Sequence, residues 1–156
     1  MNFNLMKKEQ TEIVWNTIGE NFGYPESQRS FKLPKPYIIF DISSKYSYET
    51  DELEDMVLTA MRACTRKNEL IYAMDWQHEC YEFDPRKPIE RDEWKEWLVP
   101  LFPNGDYYIF IQKDLKWGYF GHPWKKEIGI FGDCFIKNFN GKNKVLDTII
   151  KKKDKQ

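Results

Sequence analysis

The chain has 156 residues, the length of one domain, and its 41 % hydrophobic and 17 % aromatic content argues for a packed core and against disorder. A net charge of −1 excludes a global electrostatic case for nucleic acid or an anionic membrane. The charge is uneven, because residues 142–156 hold six lysines against Asp147 and Asp154, which leaves −5 on the rest.

No apolar run reaches membrane-spanning length, and the first fifteen residues lack the apolar stretch of a secretory leader. The spacing of Val14, Ile18 and Phe22, with Gly23 as a stop, predicts a helix over about 5–22. YIIFDI at 37–42 is short, apolar and bounded by turn residues, so it reads as a strand. Helical periodicity is clearest over 50–67, where Leu53, Met56, Val57, Ala60, Met61 and Cys64 make one stripe. Acids crowd its start and bases its end, matching the helix dipole, and Thr50 is the expected N-cap.

ELIYAMDWQHECYEF at 69–83 is too long for one simple strand and is expected to bend near 75–77. A short helix is predicted at 90–98 between Pro88 and Pro100, burying Trp94, Trp97 and Leu98 together. The turn PNGD at 103–106 then introduces three hairpin-linked strands, DYYIFIQ, WGYFGH and EIGIFG. Within the second, alternation puts Trp117, Tyr119 and Gly121 on one face and Gly118, Phe120 and His122 on the other, and Pro123 ends the strand. Val145, Leu146, Ile149 and Ile150 read as the narrow stripe of a C-terminal helix, basic over about 142–156. The sum is one α+β domain over 1–156: an antiparallel sheet of about five strands, with a meander in the C-terminal half and helices packed mainly on one face.

Candidates for chemistry are few. Cys64, Cys80 and Cys134 are odd in number and widely spaced, so neither a disulfide framework nor a structural metal is expected, and a reduced cytoplasmic setting is the default. Only His78 and His122 could supply an imidazole. On a strand, His78 and Cys80 would share a face, and a thiolate–imidazole pair oriented by Asp75 or Asp106 would be a workable nucleophile. The plainer reading of Cys80 is a core residue. His78, Cys80, His122 and a carboxylate have none of the familiar zinc spacings, and no phosphate-binding loop or GxSxG elbow occurs, so no metal or cofactor is expected. In KWGYFGHPW at 116–124, packing accounts for the glycines and Trp117, while His122 and Trp124 invite a functional reading.

DWQHECYEFDPR, PNGDYYIFIQKDLKWGYFGHPW and IGIFG, with the weaker PKPYIIFDIS, resemble a bacterial family called domain of unknown function 2716, known chiefly from spore-forming Gram-positive bacteria. The matching stretches span about 34–132. The resemblance implies a small cytoplasmic bacterial protein and transfers no activity, cofactor or site residue.

Two functions follow as expectations. The first is a non-enzymatic binding or interaction module of unknown partner, another protein being one candidate, with toxin neutralisation of the immunity type as one concrete version. Its contact surface would join Asp106, Trp117, His122 and Trp124. The alternative is a small-molecule hydrolase or transferase, with His122 or His78 as general base, Asp75 or Asp106 orienting it and Cys80 as nucleophile. Whether the two histidines share one pocket separates the readings.

Overall fold

A computed structural model describes residues 1–46, 50–139 and 145–153. The chain runs β1 (Phe3–Leu5), α1 (Lys8–Phe22), a short 3-10 turn (Pro25–Ser27), β2 (Tyr37–Asp41), α2 (Asp51–Ala63), β3 (Ile71–Asp75), β4 (Tyr81–Phe83), β5 (Tyr108–Ile111), β6 (Gly118–His122), β7 (Glu127–Phe131), α3 (Asp133–Lys137) and β8 (Ile149–Lys153). Among the described residues eight strands join one antiparallel sheet in the order β1-β4-β3-β5-β6-β7-β2-β8, three more than the sequence pattern suggests. The extra ones are short or at the edges, where three to five residues carry little alternation.

The helices cover both faces of the sheet, which corrects the one-sided arrangement. Strand alternation turns Ile71, Ala73, Tyr108, Phe110, Trp117 and Tyr119 toward α2, whose Leu53, Val57, Ala60 and Met61 are buried there with Phe135 of α3. Met74, Ile109, Ile111 and Phe120 point the other way, onto Val14, Trp15, Ile18 and Phe22 of α1. The central strands are therefore buried on both faces, which is why YYIFI reads as one unbroken apolar run.

The meander β5–β6–β7 is as the sequence predicts, and β3 and β4 break at the expected bend. Two predicted helices are absent among the described residues. At 90–98 the Asp92 carboxylate instead accepts from the backbone N–H groups of Trp94 (2.8 Å) and Glu96 (3.1 Å), a local bond that competes with helix formation. Trp97 is buried, but Trp94 is 74 % exposed rather than packed beside it. At the C-terminus Ile149–Lys153 pairs with β2 as an edge strand, while Val145 and Leu146 enter the core. Its lysines suit an open edge, since charge there discourages pairing with other chains. Residues 142–144 and 154–156 of the expected basic tail lie outside the described residues.

Two smaller corrections concern α2. Thr50 occupies the N-cap position but makes no side-chain capping bond. Cys64, at its end, forms a disulfide with Cys134 at the start of α3 (Cα–Cα 5.9 Å), against the expectation of unpaired thiols. A separation of 70 positions in the chain hid the pair, which forms because α2 and α3 pack side by side on one face.

Candidate functional site

Strand register aligns Asp75, Tyr108, Gly121, Ile128 and Phe40 in one row across the sheet. Beyond that row lie the β3–β4 turn at 76–80, the loop 103–107 that enters β5, and the β6–β7 turn at 123–126, so these segments share one end of the sheet. Gly105 sits at φ +77° in the second of them, which a glycine adopts without strain, and a Cβ on Gly121 would come within 3.1 Å of Pro103.

Asp75 ends β3 and organises the first turn. Its Oδ1 accepts from the backbone N–H groups of Gln77 and His78, both at 3.0 Å, and lies 3.2 Å from His78 Nδ1. Asp106 approaches from the loop: its Oδ1 accepts from the Tyr107 N–H at 2.7 Å, and its Oδ2 is 3.4 Å from His78 Nδ1. The Gln77 side chain ties the two segments together by donating to the Gly105 carbonyl at 3.2 Å. Nδ1 thus lies between two carboxylates, placed to donate to either, and Nε2 is the other edge of the ring. The two aspartates are buried, yet the His78 side chain is 70 % exposed.

Burial pushes the Asp75 carboxyl up to about 7, helped by the hydrogen bond and negative charge of Asp106 and opposed by His78. His78 is raised in turn, chiefly by the charge of Asp75. Ligand atoms of Asp75, His78 and Asp106 all lie within 4.8 Å of one another, so these residues could converge on a cation, although each already has hydrogen-bond partners inside the cluster. Beside His78 opens a groove of about 440 Å³ lined by Leu5, Met6, Trp15, Trp76 and Glu79. The Trp15 and Trp76 rings meet edge to face at 4.9 Å.

Of the sequence candidates, Asp75, His78 and Asp106 come together here. Cys80 is adjacent but turned inward, because 78–80 form a turn rather than continuous strand. Its thiol donates to the Asp75 carbonyl at 3.3 Å, and burial pushes it up to about 11, so it does not supply a thiolate. His122 lies elsewhere. It is 1 % exposed, packed on Phe31 and Tyr107, with Nε2 donating to the Arg29 carbonyl (2.9 Å) and Nδ1 accepting from the Lys125 N–H (3.1 Å). Both nitrogens are used and burial lowers its pKa, so His122 is a neutral packing residue that shares no pocket with His78.

Trp117 is buried on the opposite face, stacked on Phe135 at 4.6 Å with its N–H donated to the Cys64 carbonyl. Trp124 stands 59 % exposed at the site end. Asp106, Trp117, His122 and Trp124 therefore do not form one contact surface. Trp15 and Trp76 escaped the sequence reading because α1 reaches the turn only through tertiary packing. The signal was present in DWQHEC, where a tryptophan and a histidine flank an expected bend.

The comparisons add a family and no activity. A protein of Bacillus subtilis (strain 168) described as "Uncharacterized protein YxiI" is 34 % identical over 157 residues, covering 94 % of this chain and 97 % of that one. No solved structure matches the chain. The family described as "Protein of unknown function (DUF2716)" matches residues 4–136, which include the whole Asp75–His78–Asp106 cluster, and the chain belongs to that family.

Proposed function

We propose that the protein acts by binding another protein rather than by catalysis, and that the loops at the site end of the sheet form its contact surface. One observation carries this: His78 is clamped by two buried carboxylates with most of its side chain open to solvent. An imidazole fixed at a rim, beside an aromatic groove and at the same end of the sheet as the exposed Trp124, is suited to recognition, because little ordering remains to be done on binding. Toxin neutralisation of the immunity type is the concrete version. A cytoplasmic location goes with that version, and the Cys64–Cys134 disulfide pulls against it, since such bonds persist in oxidising compartments. Cell fractionation decides the location. For the function, a photo-crosslinking residue is placed at position 77 and, separately, at 124 in the native host. The expected result is one protein captured from both positions, and capture of none refutes the proposal.

The same histidine supports a second reading. With Nδ1 anchored, Nε2 is free to exchange a proton with a small substrate in the groove. Turnover of a component of the host's metabolite extract, lost in both His78→Ala and Asp75→Asn, would establish it. An extract unchanged by the wild-type protein sinks it.

A further inference from the structure

In place of the predicted 90–98 helix stands a hydrogen-bonded tongue. Arg91 and Trp97 form a bridge at its base, Asp92 N–H donates to the Glu96 carbonyl (2.8 Å), and Lys95 N–H donates to the Asp92 carbonyl (3.0 Å). The Asp92 carboxylate holds two further N–H groups, and the Arg91 guanidinium reaches both the Lys95 carbonyl and Glu54 of α2, each at 2.9 Å. Trp97 anchors the base by stacking on Phe83 in the core. At the tip, Trp94 is 74 % exposed. A large ring held out by a closed network needs an explanation that packing does not give.

The surroundings are acidic. Across 51–55 and 91–96, seven carboxylates stand against Arg91 and Lys95, a net −5 in a chain whose total is −1. The Arg91–Glu54 ion pair shows that the two segments adjoin. Between them lies a cavity of about 90 Å³ lined by Glu54, Glu96, Asn104 and Tyr108. That is about three water volumes, room for one ammonium or guanidinium head between Glu96, the Arg91-paired Glu54 and the apolar Trp97 and Leu101.

We infer that the acidic face centred on Trp94 docks a protein with a lysine- and arginine-rich surface, Trp94 serving as its aromatic anchor and the Glu54–Glu96 cavity receiving one basic side chain. This inference builds on the interaction-module reading and names the partner's charge. A preorganised tryptophan ringed by charge is the type of residue that dominates interface energy, and a cation over its face adds attraction. Nucleic acid and anionic lipid would be repelled from this surface.

The test uses the full chain in its host, with the photo-crosslinker at position 93, at 77 and 124 as before, and at position 20 on the opposite face of the sheet as background. The expected product at 93 is a basic protein. Once that protein is purified, Trp94→Ala should weaken its binding about 30-fold. The double reversal Glu93→Lys/Glu96→Lys should weaken it about ten-fold at low salt, with the difference shrinking as salt rises. These side chains are exposed, and coincident unfolding curves confirm that the variants fold. Capture at 77 and 124 with none at 93 overturns the inference and leaves the interaction module standing. An acidic or neutral protein captured at 93, or a basic one whose affinity neither variant changes, also overturns it. Capture at none of the three removes both.

Discussion

Replacing Asp75 with asparagine should stabilise the protein at alkaline pH and flatten its dependence on pH. Asp75 is held near 7 in the folded chain against an ordinary value of 3.8, so its protonated form is the one the fold prefers. For a carboxyl raised in this way, stability is fully present below the unfolded value and is lost as pH rises through the folded one. His78, also raised, has the same sign, since its charged form is favoured only in the fold. The cluster should therefore cost the chain stability from about pH 4 to above 7, offset in part by His122, whose lowered value works in the opposite sense. The ceiling for Asp75 is about 4 kcal/mol, the free-energy equivalent of a carboxyl moved from 3.8 to about 7. Asparagine keeps the oxygen that accepts from Gln77 and His78 and turns a donor toward Asp106, but it forfeits the charge facing His78. A net gain of about 2 kcal/mol at pH 8 follows, roughly 4–8 °C in the melting temperature of a chain this size. Urea unfolding at half-unit steps from pH 5 to 8 measures it. If Asp75→Asn is less stable at pH 8 and keeps the wild-type slope, Asp75 does not carry the shift and the account of the cluster is wrong.

Three further outcomes follow from side-chain placement. Trp117→Ala should cost about 3–5 kcal/mol in urea unfolding, because the ring is buried and stacked on Phe135. His122→Ala should cost about 2–4 kcal/mol, far more than a surface histidine would, since it strips partners from the Arg29 carbonyl and the Lys125 N–H and opens a hole beside Phe31. Reducing Cys64–Cys134 should lower stability by about 2–4 kcal/mol, and iodoacetamide at pH 8 should then label these two cysteines while sparing Cys80 until the chain unfolds.

What the sequence made legible was local. α2 and the meander declare themselves because each buries one regular face, so the period of the fold is also the period of the residues. The tail departs from the predicted helix because Ile149 and Ile150 beside lysines fit a helix end as well as an edge strand, and pairing with β2 selects the strand. At 90–98 one aspartate side chain outweighed two prolines and a helical stripe. Half of the candidate site was legible in the same way, as Asp75 and His78 sit three residues apart in one turn. Asp106 joins them only because β3 pairs with β5, and Asp75 stands opposite Tyr108. The burial of His122 depends on a carbonyl 93 residues away, which no local pattern announces.

The placement of charge gives the site end its physical character. Asp75 and Asp106 put two carboxylates in a buried position where one must stay protonated or face a cation, an arrangement that lowers stability at neutral pH. An apolar or amide pair there would be cheaper for folding. The acidic tongue packs against β4, near one edge of the sheet, and the lysines of β8 line the other edge. β4 and β8 stand six positions apart in the sheet order, roughly 29 Å at ordinary strand spacing. That exceeds the Debye length of about 8 Å at physiological salt, so the two charged regions do not cancel each other in solution. A chain with a net charge of only −1 therefore carries one strongly negative face with the exposed Trp94 at its centre, and in the docking inferred above that field would orient a basic surface before contact.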